Sequence, residues 1–111
     1  MKNLFSVEGK VAIVTGGSRG IGEMIAAGYL ANGAKVYISS RKADACVATA
    51  KKLADEFGGQ CIPIPADLSN LDGINNFVQE FSRNESNLDF LVNNAGVAWG
   101  APLEEFRELG W

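Results

Sequence analysis

The sequence predicts an α/β fold, an open, doubly wound parallel sheet running β-α-β-α-β-α-β with strand order 3-2-1-4. Three observations predict it. The runs Lys10 to Thr15, Lys35 to Ser40, Gln60 to Ile64 and Leu88 to Asn93 are short and rich in Val, Ile and Leu without clean alternation, as strands buried on both faces are. Between them lie stretches whose apolar residues recur every three or four positions, the period of a helix packed on one side. The connections are too short for anything but parallel pairing through right-handed crossovers. In such a sheet the chain reverses direction between strands 1 and 4, and a ligand crevice opens at their carboxyl ends.

Taken in order, Val11-Ala12-Ile13-Val14 forms the body of the first strand. The first helix carries the stripe Ile21, Ile25 and Tyr29 and stops at Asn32-Gly33. After the second strand, Val47, Ala50, Ala54 and Phe57 mark a helix that ends at Gly58-Gly59. The third helix follows the third strand, with Ser69 or Asn70 as its cap and Leu71, Ile74, Val78 and Phe81 as its stripe. Leu88-Asp89-Phe90-Leu91-Val92 then leads into the fourth strand and the turn Asn93-Asn94-Ala95-Gly96. No repeat or linker divides the chain, so residues 1–111 read as part of one domain. Nothing after strand 4 closes the sheet edge, and the chain reads as the amino-terminal part of a larger, truncated domain.

The loop Thr15-Gly16-Gly17-Ser18-Arg19-Gly20-Ile21-Gly22 carries the chemistry. Gly16 permits a sharp turn out of the strand, and Gly20 lacks the Cβ that would keep a pyrophosphate from the first N–H groups of the helix. Gly22 lets that helix lie close against its strand. Unpaired amides at a helix start attract an anion by on the order of 0.3–1 kcal/mol at exposed sites. A dinucleotide is the expected ligand. The spacing, Gly-x3-Gly-x-Gly, meets the mechanism of the general dinucleotide pattern rather than its letter, and the absence of Lys-Ser or Lys-Thr after the glycines excludes a Walker loop. The plainer reading is an ordinary glycine-rich turn, as a simple Asn-Gly bend is for residues 93–96.

Composition narrows the function classes. With 47% hydrophobic and 21% charged residues among 111, the chain has the apolar material for a core. A net charge of −3 without a basic run argues against nucleic-acid and anionic-membrane partners. No apolar run approaches the roughly 18 residues that span a bilayer, and Met1 to Ser6 lacks the apolar core of a secretion signal, so a cytoplasmic location is expected. Cys46 and Cys61 form no C-x-x-C pair and the chain has no histidine, so no metal site is expected and both thiols read as buried and inert.

Together, Thr15-Gly-x3-Gly-x-Gly22, Asp67-Leu68 after strand 3 and Asn93-Asn-Ala-Gly96 after strand 4 resemble the short-chain dehydrogenase/reductase family from about Phe5 to Trp111, with bacterial 3-oxoacyl reductases nearest in look. The resemblance implies a Rossmann-type nucleotide domain and hydride transfer between a nicotinamide cofactor and a small carbonyl or alcohol. Carried over by residue, it implies that Gly16, Ser18, Arg19, Gly20, Ile21 and Gly22 surround the phosphates and adenosine ribose. Asp67 and Leu68 would meet the adenine, although Asp67 also reads as a helix cap. Asn93, Ala95 and Gly96 would line the route to the nicotinamide, with Asn93 tying strand 4 to its neighbours. NAD enzymes usually place a carboxylate at the end of strand 2, where this chain has Ser40 followed by Arg41. Arg41, helped by Arg19, suits a 2′-phosphate, which favours NADP over NAD; on the plainer reading Arg41 is a solvated surface residue.

The family's chemistry depends on a Ser, and on a Tyr followed four residues later by a Lys, and no such set is present. Tyr29 is followed at that spacing by Gly33 and Tyr37 by Arg41, and both read as packing residues. The catalytic set is expected downstream of Trp111, so no catalytic residue is assigned. Trp99, Phe106 and Trp111 border an acyl channel or cover the end of the sheet. The resemblance also implies a homo-oligomer for a full-length protein. The leading expectation is the cofactor-binding part of an NADP-dependent reductase. The alternatives are a non-catalytic NADP-binding module or sensor, and a half-domain for a flavin or adenine mononucleotide, which the Ser40-Arg41 pair suits poorly.

Overall fold

The computed structural model describes residues 7–16 and 20–94. They form strands β1 (Val11–Thr15), β2 (Lys35–Ser39), β3 (Cys61–Pro63) and β4 (Phe90–Asn93), and helices α1 (Gly20–Ala31), α2 (Ala43–Phe57) and α3 (Leu71–Asn84). All pairings are parallel and the order is β3-β2-β1-β4, as the sequence predicts. The strands are shorter than their apolar runs. Gln60 and Asp89 still hydrogen-bond across to Val36 and Val11, but they stand outside the regular ladder.

Alternate strand residues face opposite layers. Val14, Val36 and Ile38 pack with Ala26 and Leu30 of α1 and with Cys46, Ala50 and Leu53 of α2. On the other side Ile13 and Tyr37 pack with Phe77 and Phe81 of α3. This two-faced burial is why the inner positions of β1 and β2 are apolar on both faces.

The buried line departs from the expected apolar stripe most in α1, shares Ala50 with it in α2, and keeps Ile74 and Phe81 of it in α3. In α1 the buried line is Gly22, Ala26 and Leu30, while Ile21 is 67% exposed and Ile25 and Tyr29 sit at the margin. In α2 it is Cys46, Thr49, Ala50 and Leu53, with Val47 and Phe57 exposed. In α3 it is Ile74, Phe77 and Phe81, with Leu71 exposed and Val78 half-buried. Small residues let α1 approach the sheet closely, and side-chain size alone does not reveal that preference. The helix stops fall where expected, with the Gly33 N–H on the Leu30 carbonyl at 3.0 Å and the Gly58 N–H on that of Ala54 at 2.8 Å. Of the two cap candidates for α3, Asn70 serves, accepting from the Gly73 N–H at 2.8 Å.

Tyr37 is a packing residue, edge-on to Phe81 at 4.9 Å, and its hydroxyl donates to Glu85 at 2.7 Å. Glu85 also pairs with Lys35. Burial, helped by the Glu85 carboxylate, pushes the Tyr37 hydroxyl up. Burial alone would raise Glu85 too, but its bonds to Lys35 and Tyr37 outweigh that and hold its carboxyl below the ordinary range. Linkage then sets the signs. The Glu85 contribution is present above the unfolded value of about 4.3 and is lost as pH falls through the depressed folded value, whereas the Tyr37 contribution is present below about pH 10 and fades as pH rises further. Glu85→Ala is expected to cost about 1–3 kcal/mol at neutral pH in urea unfolding, the cost of leaving a buried hydroxyl without its partner. Equal midpoints for variant and parent would contradict this role.

Cys46 and Cys61 are both buried, as expected. Burial raises the Cys46 thiol, and burial with the neighbouring Cys46 pushes Cys61 up to about 12, so both remain protonated thiols at neutral pH.

Candidate functional site

The carboxyl ends of the strands carry the loops that hold most of the expected site residues. At the end of β1, Gly16 turns with φ +67° and its N–H donates to the Ser39 carbonyl at 2.8 Å, fixing the loop to the end of β2. A Cβ at Gly22 would strike the Gly16 carbonyl and would lie 2.8 Å from Asn94 Nδ2. The first turn of α1 is therefore seated directly on the loop that leaves β1, closer than any side chain permits. At Gly20, which opens α1 with φ +62°, no other part of the described residues beyond its chain neighbours and its own helix lies within 4 Å of where a Cβ would be. Beside it stand the amides of the helix start, where an anion binds most readily.

Thr15, 1% exposed, joins the two halves of the switch point. Its hydroxyl donates to Asn93 Oδ1 at 3.0 Å and accepts the Asn94 N–H at 2.9 Å, so the last residue of β1 holds the start of the loop after β4. Sequence reasoning placed Thr15 in the motif without giving it a task. The signal available was a hydroxyl residue closing an otherwise apolar strand, whose partners are 78 and 79 positions away.

Ser40 and Arg41 follow β2. The Ser40 carbonyl accepts from the Ala66 N–H at 3.0 Å, which sets Arg41 and Asp67 on neighbouring loops. Arg41 is exposed. Asp67 Oδ1 accepts from the Ser69 hydroxyl at 2.5 Å and the Ser69 N–H at 3.0 Å. These bonds, with a smaller contribution from the Arg41 charge, hold the Asp67 carboxyl below its usual range. Asp67 therefore does not cap α3, because its carboxylate is taken up by the turn to Ser69 and Asn70 holds the cap. Leu68 packs against the α3 layer.

The described loops thus bring together Gly16, Gly20, Ile21 and Gly22 at one end of β1, Ser40, Arg41, Asp67 and Leu68 beyond β2 and β3, and Asn93 across the switch point. Ile21 stands outward on the first turn of α1. Ser18, Arg19, Ala95 and Gly96 lie outside the described residues, as do Trp99, Phe106 and Trp111. The arrangement offers amide donors and a cation for phosphate, and a fixed carboxylate as a hydrogen-bond acceptor. Among the described residues no group of three or more His, Cys, Asp or Glu side chains is placed to hold a metal, and no helix is long and apolar enough to cross a membrane.

Comparison with known proteins agrees with this geometry. Residues 10–111 match the sequence model of the short chain dehydrogenase family. The chain is 50% identical over 111 residues to the rhamnolipids biosynthesis 3-oxoacyl-(acyl-carrier-protein) reductase of Pseudomonas aeruginosa, covering 100% of this chain and 43% of that protein. It is 36% identical over 109 residues to gluconate 5-dehydrogenase of Gluconobacter oxydans, covering 98% of this chain and 42% of that one. Among solved structures, the Pseudomonas aeruginosa RhlG/NADP active-site complex superposes with a TM-score of 0.80 at 45% identity, over 98% of this chain and 42% of its own. L-sorbose reductase from Gluconobacter frateurii, complexed with NADPH and L-sorbose, gives 0.79 at 31% identity over 92% of this chain and 41% of its own. The chain spans less than half the length of these relatives. Its glycine loop, its strand order and a family model that matches from the first strand onward agree, and the chain belongs to the short-chain dehydrogenase family.

Proposed function

We propose that residues 1–111 are the amino-terminal, cofactor-binding part of a single Rossmann-type domain in an NADP-dependent oxidoreductase that reduces a small carbonyl compound. The observation that carries this reading is the contact between Gly22 and the Gly16 carbonyl. It seats α1 so that the helix amides stand at the switch point of the sheet, where doubly wound folds bind their ligands. NADP would lie with its pyrophosphate on the loop from Gly16 to Gly22, including Ser18 and Arg19. Its 2′-phosphate would meet Ser40 and Arg41, its adenine Asp67 and Leu68, and its nicotinamide the segment of Asn93, Ala95 and Gly96. When bound, it supplies the hydride. These residues bind and orient; none of them is a proton donor. Tyr29 and Tyr37 lack a lysine four residues on, and the Tyr37 hydroxyl is committed to Glu85, which also supports a reading as a binding module without turnover.

The likeness to the Pseudomonas reductase supports 3-oxoacyl thioesters as the small-molecule substrate class. A homo-oligomeric full-length protein and a cytoplasmic location belong to the same proposal.

Cofactor choice is tested at Arg41. A charge-assisted hydrogen bond is worth roughly 1.5–3 kcal/mol, so Arg41→Ala is expected to lower the preference for NADPH over NADH about ten- to a hundredfold in a calorimetric titration. An unchanged ratio would remove the case for NADP, and no uptake of either nucleotide by the folded parent would remove the case for a dinucleotide site.

A further inference from the structure

Gly73 lies inside the first turn of α3, where glycine weakens a helix relative to alanine. It ends no helix and its φ is not positive, so backbone freedom does not explain it. Its surroundings do. A Cβ at Gly73 would collide with the Asp67 carbonyl oxygen and would lie 2.6 Å from the Asp67 carbonyl carbon. The loop after β3 therefore rests directly on the first turn of α3, at a place only glycine leaves open. The same aspartate is held at its other end by the Ser69 hydroxyl and N–H, both on Oδ1. Across from it, the bond from the Ala66 N–H to the Ser40 carbonyl fixes this loop to the one after β2.

We infer that Gly73 and Ser69 are positioning residues for recognition of the base of the dinucleotide: Gly73 sets the Asp67 main chain on α3, and Ser69 holds the carboxylate in one rotamer. Oδ1 is fully engaged by Ser69, and Oδ2 has no hydrogen-bond partner among the described residues. A carboxylate fixed in this way presents an acceptor in a set direction, which matches the exocyclic 6-amino group of an adenine and opposes a 6-oxo group. Without the Ser69 hydroxyl the carboxylate keeps only the bond from the Ser69 N–H and is held less tightly in its rotamer, and with a Cβ at 73 the loop is displaced, so in either case the acceptor is less well directed. The inference rests on the reading that Asp67 faces the base.

The test compares NADPH with its hypoxanthine analogue, in which a 6-oxo group replaces the 6-amino group, by calorimetric titration of the parent chain and of Gly73→Ala, Ser69→Ala and Ser69→Thr. The parent is expected to prefer the adenine form about tenfold, the value of one well-directed hydrogen bond to a charged acceptor. Gly73→Ala is expected to bring that ratio close to one, Ser69→Ala, which keeps only the main-chain bond, to lower it by several-fold, and Ser69→Thr, which keeps the hydroxyl, to restore it. A purely structural role would weaken both nucleotides alike and leave the ratio standing, and that result overturns the inference. Should Gly73→Ala fail to melt cooperatively, the pair of Ser69 variants decides by the same ratio. A parent that binds both forms equally would instead refute the placement of Asp67 at the base, and a parent that binds neither would refute the dinucleotide site itself.

Discussion

Gly22→Val is expected to destabilise the fold by about 1–3 kcal/mol and to weaken NADPH binding more than tenfold, the cost of forcing extra carbons into a filled contact. The first added carbon already meets the Gly16 carbonyl, and that carbonyl cannot step aside easily because the Gly16 N–H is anchored on Ser39. The strain is relieved by lifting the first turn of α1 from the β1 loop, which carries the helix amides away from the proposed phosphate position. Gly28 in the same helix provides the contrast. It is exposed, and beyond its own helix no described residue lies within 4 Å of a Cβ there, so Gly28→Ala is expected to stabilise the chain by roughly 0.5–1 kcal/mol through helix propensity alone. Urea unfolding of the two variants, with nucleotide titration of each, separates close packing from propensity. Gly22→Val unfolding at or above the parent midpoint would show that the contact is not restrictive.

Thr15→Val carries the second large effect, for a different reason. Valine keeps the shape and removes the hydroxyl, leaving the Asn94 N–H without its acceptor and Asn93 Oδ1 without this donor. An orphaned, partly buried amide costs about 1–3 kcal/mol, and the loop it belonged to is freed to move from the switch point. Thr15→Ser keeps the hydroxyl and gives up only a methyl group, so it is expected to retain most of the stability and the nucleotide affinity of the parent. Urea midpoints together with NADPH titration check both parts. If the serine and valine variants lose stability equally, the methyl contact rather than the hydrogen bonds holds β1 to the β4 loop.

Both effects lie in contacts between parts of the chain that are remote in sequence, and this marks the limit of what could be read from residues alone. The order of elements and the sheet topology were legible because strand-like runs without alternation and short connections leave few alternatives. The glycine loop was legible because Gly16, Gly20 and Gly22, spaced across the passage from strand to helix, have a local mechanism. Helix faces were misread for α1, where Ile21, Ile25 and Tyr29 look like the core stripe while Gly22, Ala26 and Leu30 form it. Apolar size measures what burial would gain, and close helix-sheet packing selects for what fits. Asp67 looked like a helix cap for a related reason, since a carboxylate two residues from Ser69 has a local turn available that composition does not rank above capping.

The amino-acid sequence by itself determined the class of fold, the order β3-β2-β1-β4, the glycine spacing after β1 and the absence of a carboxylate after β2, because each depends on local propensity, on short-range periodicity or on which residue stands at a given position. Tertiary structure alone decided that Thr15 fastens the switch point, that Gly22 and Gly73 are gaps shaped for particular carbonyl groups, and that Tyr37 and Lys35 share Glu85. Those contacts join main chain to side chain over tens of residues, and their strength comes from sub-ångström fit and exclusion of water, neither of which exists until the layers have closed.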